Sequence, residues 1–261
     1  MISAQEEMAI IFFINRMQRE YLSFMGIESL PVMRIEPFEI DMVRVCTQGI
    51  GSWAQVVYDC SSDEFTLKVW KDLYKPMLHA DYLMFHEFTH AYDINRLAKG
   101  DKIKYVSIKG YIEYHASQVE LLKQLNAPGY TTPPSFSMTD VIKSPGNDKT
   151  VFESLLIGKK SATDAIIKQD FPSGIDILST VIGMIFNHLG RVSVCERYAK
   201  DYEDYKAQLE DYSIEESFFG ANSWKILAGI YHGEMSQVAI DLAMKVHLGI
   251  LGRLTKKYGL A

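Results

Sequence analysis

Two histidines one helical turn apart enclose a glutamate in the run His86-Glu87-Phe88-Thr89-His90. On a helix, positions i and i+4 share a face, so both imidazoles can reach a single metal ion. Glu87 is then close enough to take a proton from a water on that metal. Zinc lowers the pKa of such a water to roughly 7, which makes hydroxide available at neutral pH. A chain with this histidine content would contain the pattern by accident in roughly one case in a hundred. The motif therefore needs support from its surroundings, because the bland alternative is two surface histidines beside a solvated glutamate.

Stepping outward along the helix, Leu83, Met84, Phe85, Phe88, Ala91, Tyr92, Ile94, Leu97 and Ala98 cover one broad arc of a helical projection. His86, Thr89, Asp93 and Arg96 occupy the opposite side, with His90 at its edge. This is the pattern of an amphipathic helix carrying its histidines on or beside the polar stripe. A catalytic zinc also needs a third protein ligand and an open position. The next amphipathic segment, residues 111–125, offers one. Its apolar face holds Tyr111, Ile112, Tyr114, Val119, Leu121, Leu122 and Leu125, and its polar face Glu113, Ser117, Glu120 and Gln124. Glu113 leads as the third ligand, with His115 and Glu120 as rivals. His115 points into the apolar face, where a histidine is more often part of the core.

With these residues in view, the chain resembles the gluzincin branch of the zincin metallopeptidases. The stretch HEFTHA is similar to the active-site helix of the thermolysin-type enzymes, and the likeness covers residues 53–125. The resemblance implies zinc held by His86, His90 and Glu113, Glu87 as general base, and a peptide or protein as substrate. It also implies that the strand at Phe65–Trp70 forms the edge of the cleft, where an extended peptide pairs. An oxyanion donor from the downstream part is expected in such enzymes. Tyr231-His232, between Gly229 and Gly233, is the candidate, the alternative being a turn between two C-terminal helices. The residues after His90 lack the glycine and third histidine of the metzincin branch. Thermolysin-type enzymes have alanine next to the ligand glutamate and aspartate four positions after it, where this chain has Tyr114 and Ser117. Asp93 or Glu120 would have to supply the carboxylate that supports a zinc histidine. Asp93 could equally be a solvated charge near Arg96. Small gluzincin-like regulatory proteins of the ImmA/IrrE type are similar in size and layout.

The bulk properties narrow the classes further. A net charge of -6 with scattered Lys and Arg argues against nucleic acid as a partner. Cys46, Cys60 and Cys195 form no C-x-x-C pair, which suits a reducing compartment and points to the cytoplasm, export without a classical signal aside. Glu6 and Glu7 precede the short apolar run Met8–Ile14, where a signal peptide would carry positive charge. Ile175–Leu189 is apolar but short for a bilayer, so a buried helix and no membrane span are expected. Neither a phosphate-cradling glycine loop nor a nucleophile elbow is present. The competing functional reading is a catalytically silent zinc-binding protein that works by docking a partner through its helical half.

The expected fold class is α+β: a zincin-like small β-sheet with the motif helix, then a mostly α-helical subdomain. The catalytic part would span residues 1–130 and the helical part 131–261, with the proline-rich stretch Thr131–Pro134 between them. A helix over residues 4–25 opens the chain. Strands are expected at Ala54–Tyr58 and Phe65–Trp70 around the polar turn Asp59–Glu64, and a third at Met42–Cys46. The motif helix should run from Pro76 to Leu97. Hydroxyl-to-carboxylate spacings at Ser137/Asp140, Thr150/Glu153, Ser161/Asp164 and Ser213/Glu216 mark candidate helix starts beyond it.

Overall fold

Ser3 and Glu6 start the first helix, α1 (Ala4–Met25), by capping each other's backbone: the Ser3 hydroxyl accepts from the Glu6 amide, and the Glu6 carboxylate accepts from the Ser3 amide. Gly26, at φ 66°, closes the helix in the left-handed region that suits glycine. A computed structural model of the chain describes residues 3–39, 53–75, 79–143, 148–231 and 236–260. The expected strand at Met42–Cys46 and residues 76–78 of the expected motif helix lie outside them; that helix starts at Asp81, later than the Pro76 expected, since His79 and Ala80 are not helical.

Three strands follow α1: β1 (Met33–Phe38), β2 (Ala54–Asp59) and β3 (Glu64–Trp70). They form a mixed sheet in the order β1-β3-β2, with β1 parallel to β3 and β2 antiparallel to it. Alternation makes the inner face: Phe65, Leu67 and Val69 of β3 are buried, as are Ala54 and Tyr58 of β2. The hairpin closes through Asp63 at φ 56°, whose carboxylate accepts from the Tyr58 hydroxyl. β1, an outer strand among the described residues, carries Pro37, which such a strand tolerates.

The motif helix is α2 (Asp81–Leu97), and α3 (Lys102–Gln124) follows it. A two-stranded ribbon pairs β4 (Val141–Ile142) with β5 (Lys149–Thr150). The remainder is helical: α4 (Val151–Ile166), α5 (Ile175–Tyr198), α6 (Tyr202–Leu209), α7 (Ser213–Phe219), α8 (Ala221–Tyr231) and α9 (Gln237–Lys257). The chain is thus α+β with a mostly helical C-terminal part.

Two compact units emerge. The first comprises residues 1–101, 119–134 and 142–148; the second comprises 102–118, 135–141 and 149–261. The division runs through α3, so Glu113 and Glu120 of that one helix fall in different units. In the first unit, α1 and the sheet flank α2, with Tyr21 edge-on to Phe85 and Phe88 at 5.5 Å each. In the second, Phe186, Phe219, Trp224, Leu227 and Tyr231 centre a helical core. α5 continues past the apolar stretch read from the sequence to 24 residues, long and apolar enough to cross a membrane by length and composition. Its apolar face, from Leu178 through Leu189, is instead packed into that core.

Candidate metal centre

Packing on both sides fixes α2. Met84, Phe85, Phe88, Ala91 and Ile94 are buried against α1 and the sheet. Thr89 and Asp93, which the helical projection put on the polar side, are fully buried as well. Thr89 is satisfied locally, donating to the Phe85 carbonyl at 2.8 Å and accepting from the Tyr21 hydroxyl at 3.1 Å. Asp93 lies 3.6 Å from the Arg96 guanidinium. The solvated reading of Asp93 is therefore corrected: its carboxylate has no exposed surface.

On this fixed helix the two imidazoles converge. The His86 and His90 rings have centroids 4.6 Å apart and planes at 79°. His86, Glu87 and His90 bring one ligand atom each within 4.8 Å of one another. Glu120, from the end of α3, braces the first of them: its Oε2 lies 2.8 Å from His86 Nδ1. An ionised carboxylate only accepts, so beside one, Nδ1 carries the proton and Nε2 keeps the ring's lone pair. Lys123, one turn beyond Glu120, ties this end of α3 to α1, with its amine 3.2 Å from Glu20 and 4.4 Å from the Phe85 ring centroid. Glu87 is held by a separate contact. Its Oε2 accepts the Val56 amide of β2 at 2.6 Å.

No family model, curated protein or solved structure matches this chain. The functional reading therefore stands on the chain's own residues.

The other candidates fall as follows. Glu113 belongs to the second unit, where its carboxyl carbon lies at ordinary contact distance, 3.5 Å, from the place a Cβ on Gly183 would take. His115 is buried and stacked on Tyr111 at 5.7 Å, the setting of a core histidine. Glu120 partners His86 Nδ1 rather than standing alone, the arrangement of a supporting carboxylate. Tyr231 ends α8 inside the helical core, with its ring 4.3 Å from Tyr114 and 5.4 Å from Phe186. Burial pushes its hydroxyl well above the usual tyrosine range. A side chain so enclosed does not offer a donor to substrate, and Tyr231 is withdrawn as an oxyanion candidate. His232 lies outside the described residues.

The cleft-edge expectation also changes. β3 is the central strand, paired on both sides, so its backbone has no edge to offer a peptide. Among the described residues, β2 is the outer strand on the side of α2. Val56 itself carried no sequence signal, because its contact uses the backbone and links residues 31 positions apart.

Proposed function

We propose that this chain is a zinc-dependent metallopeptidase, with His86 and His90 as metal ligands and Glu87 as the general base. The observation that carries the reading is the convergence of two imidazoles and a carboxylate on one turn of a buried helix. Surface histidines would not need the neighbouring carboxylate that His86 has in Glu120. The donor set fits zinc, which takes imidazole nitrogen and carboxylate oxygen in sites of this kind. When bound, zinc supplies an acidified water at neutral pH and polarises the scissile carbonyl.

The protein's own groups do the rest. Glu120 keeps the His86 proton on Nδ1 and so keeps Nε2 available as a donor. Glu87 takes the proton from the attacking water and passes it to the leaving amine, the two tasks of a general base that becomes a general acid. The gluzincin resemblance would make Glu113 the third ligand; the group that converges in the fold is His86, Glu87 and His90. The substrate is a peptide or protein.

The test compares purified protein with Glu87→Gln. Equal zinc content in both is expected, with peptide cleavage lowered by about 10²- to 10⁴-fold in the variant, the usual contribution of a positioned acid–base group. Cleavage by neither across a broad peptide library, with zinc bound, would overturn the enzymatic reading. Absence of stoichiometric zinc from the parent would overturn the metal centre itself.

A further inference from the structure

Glu87 is anchored by a backbone group of β2 that, among the described residues, takes no part in the sheet's ladder. Trp70 donates to the Trp53 carbonyl at 2.8 Å, and in the β2–β3 register Val56 stands opposite Leu67. Hydrogen-bonded and non-bonded pairs alternate along an antiparallel ladder. Counting from Trp53, the bonded positions of β2 are Gln55, Val57 and Asp59, so Val56 turns its N–H and C=O away from β3. That outward amide meets Glu87 of α2, which packs directly on β2.

We propose that the Val56 backbone amide is a positioning group for Glu87, holding one carboxylate oxygen so that the side chain keeps a single orientation beside the histidine pair. A glutamate has three rotatable bonds, and each is a way for a base to miss its proton. Binding Oε2 to a strand that is itself fixed by its ladder removes that freedom. The N–H···O distance of 2.6 Å is at the short end for such a bond, as an ionised acceptor favours. Val56 contributes this through its main chain, so its side chain, only half-buried, is not the agent. The kinetic consequence rests on the peptidase reading; the anchoring does not.

The position permits a clean substitution. Proline at an outward-facing site of an outer strand removes the N–H without breaking a ladder bond. Val56→Pro deletes the donor, whereas Val56→Ala keeps it. With both variants loaded with zinc, kcat of Val56→Pro should fall about 10- to 100-fold below that of Val56→Ala, with KM within a factor of about two, the scale seen when a group orienting an active-site residue is lost. Equal kcat values would overturn the proposal.

Amide hydrogen exchange supplies a readout independent of turnover and of whether the proline variant folds. Val56 N–H should be protected in the parent and in Glu87→Gln, whose side-chain carbonyl still accepts, and exchange roughly tenfold faster or more in Glu87→Ala. Unchanged protection in Glu87→Ala would sink the anchoring directly. A parent that cleaves no peptide would remove the peptidase reading, and the exchange comparison would then decide the anchoring by itself.

Discussion

Histidines occur in both units of this protein, and their settings differ in kind. In the first unit, His86 and His90 lie together on α2, with Glu87 between them in sequence and Glu120 against His86. In the second, His188 and His247 are buried beside aromatic rings, His188 at Tyr212 and His247 at Phe186. His188 meets a main-chain oxygen, the Leu209 carbonyl at 3.3 Å from Nε2. Burial alone does not separate the pairs, since His90 is 8% exposed and His188 5%. What separates them is the company of carboxylates, Glu120 against His86 and Glu87 in the cluster with both rings. A carboxylate fixes a ring's tautomer and directs its remaining nitrogen, while an apolar shell only keeps a ring neutral.

The largest effect expected from that contrast is on metal content. His90→Ala should abolish stoichiometric zinc binding, because a site that loses one of two imidazoles loses most of its grip. His188→Leu and His247→Leu should leave zinc content unchanged. Elemental analysis of the dialysed proteins reads the difference. Zinc loss in the second pair and not the first would reverse the assignment of roles.

A second effect, smaller but still large, belongs to the helical unit alone. Burial, ahead of any other influence, lowers the pKa of both His188 and His247 to about 4, with Lys159 and Arg191 adding to the effect at His188 and Lys109 at His247. In the unfolded chain these rings titrate near 6.5. Between those values the unfolded state binds more protons than the folded one, so stability rises with pH across that window. The contribution is complete above about 6.5 and is lost as pH falls toward 4, about 3 kcal/mol for each ring. Urea midpoints measured from pH 7 down to 4.5 should fall. The double leucine variant should have a shallower slope, and an unaltered slope would show that the rings are not the source.

The same contrast explains how much could be read from sequence. The α2 motif was legible because one turn of helix contains all of it. β2 and β3 were legible from alternation, α1 and α5 from helical spacing, and the α4 start from Thr150 and Glu153, which form a capping box. Other hydroxyl–carboxylate spacings misled. Ser137 and Asp140 close a turn before β4, and Ser161 lies inside α4, because a local pairing marks a helix start only where the chain also turns into a helix. α3 begins at Lys102 and passes through Gly110 rather than starting after it. There a Cβ would come within 2.7 Å of the Phe186 ring, so the glycine serves close packing between helices and not termination. β1 escaped notice because Pro37 and weak alternation hide it, and its parallel partner β3 lies far along the chain. Val56 and Glu120 reach the motif only through folding, from 31 and 34 positions away.

Glu120 offers the finest cut through the comparison, because it tests the acidic partner without touching a ligand. If the carboxylate is what distinguishes His86 from the enclosed histidines, Glu120→Ala should weaken zinc affinity by about 10- to 100-fold, the usual cost of losing a group that orients a metal-binding histidine. Glu120→Gln retains an oxygen that can accept from Nδ1, so it should recover part of the loss while giving up the charge. Competition with a chromophoric chelator measures both. Affinities equal to the parent in the two variants would mean that His86 is held in place by the packing of α2 alone. In that case the proton on Nδ1 would be an incidental feature of the fold, and the two settings would differ only in exposure to metal. Graded losses, alanine worse than glutamine, would instead make the hydrogen bond the feature that turns one pair of rings into a binding site.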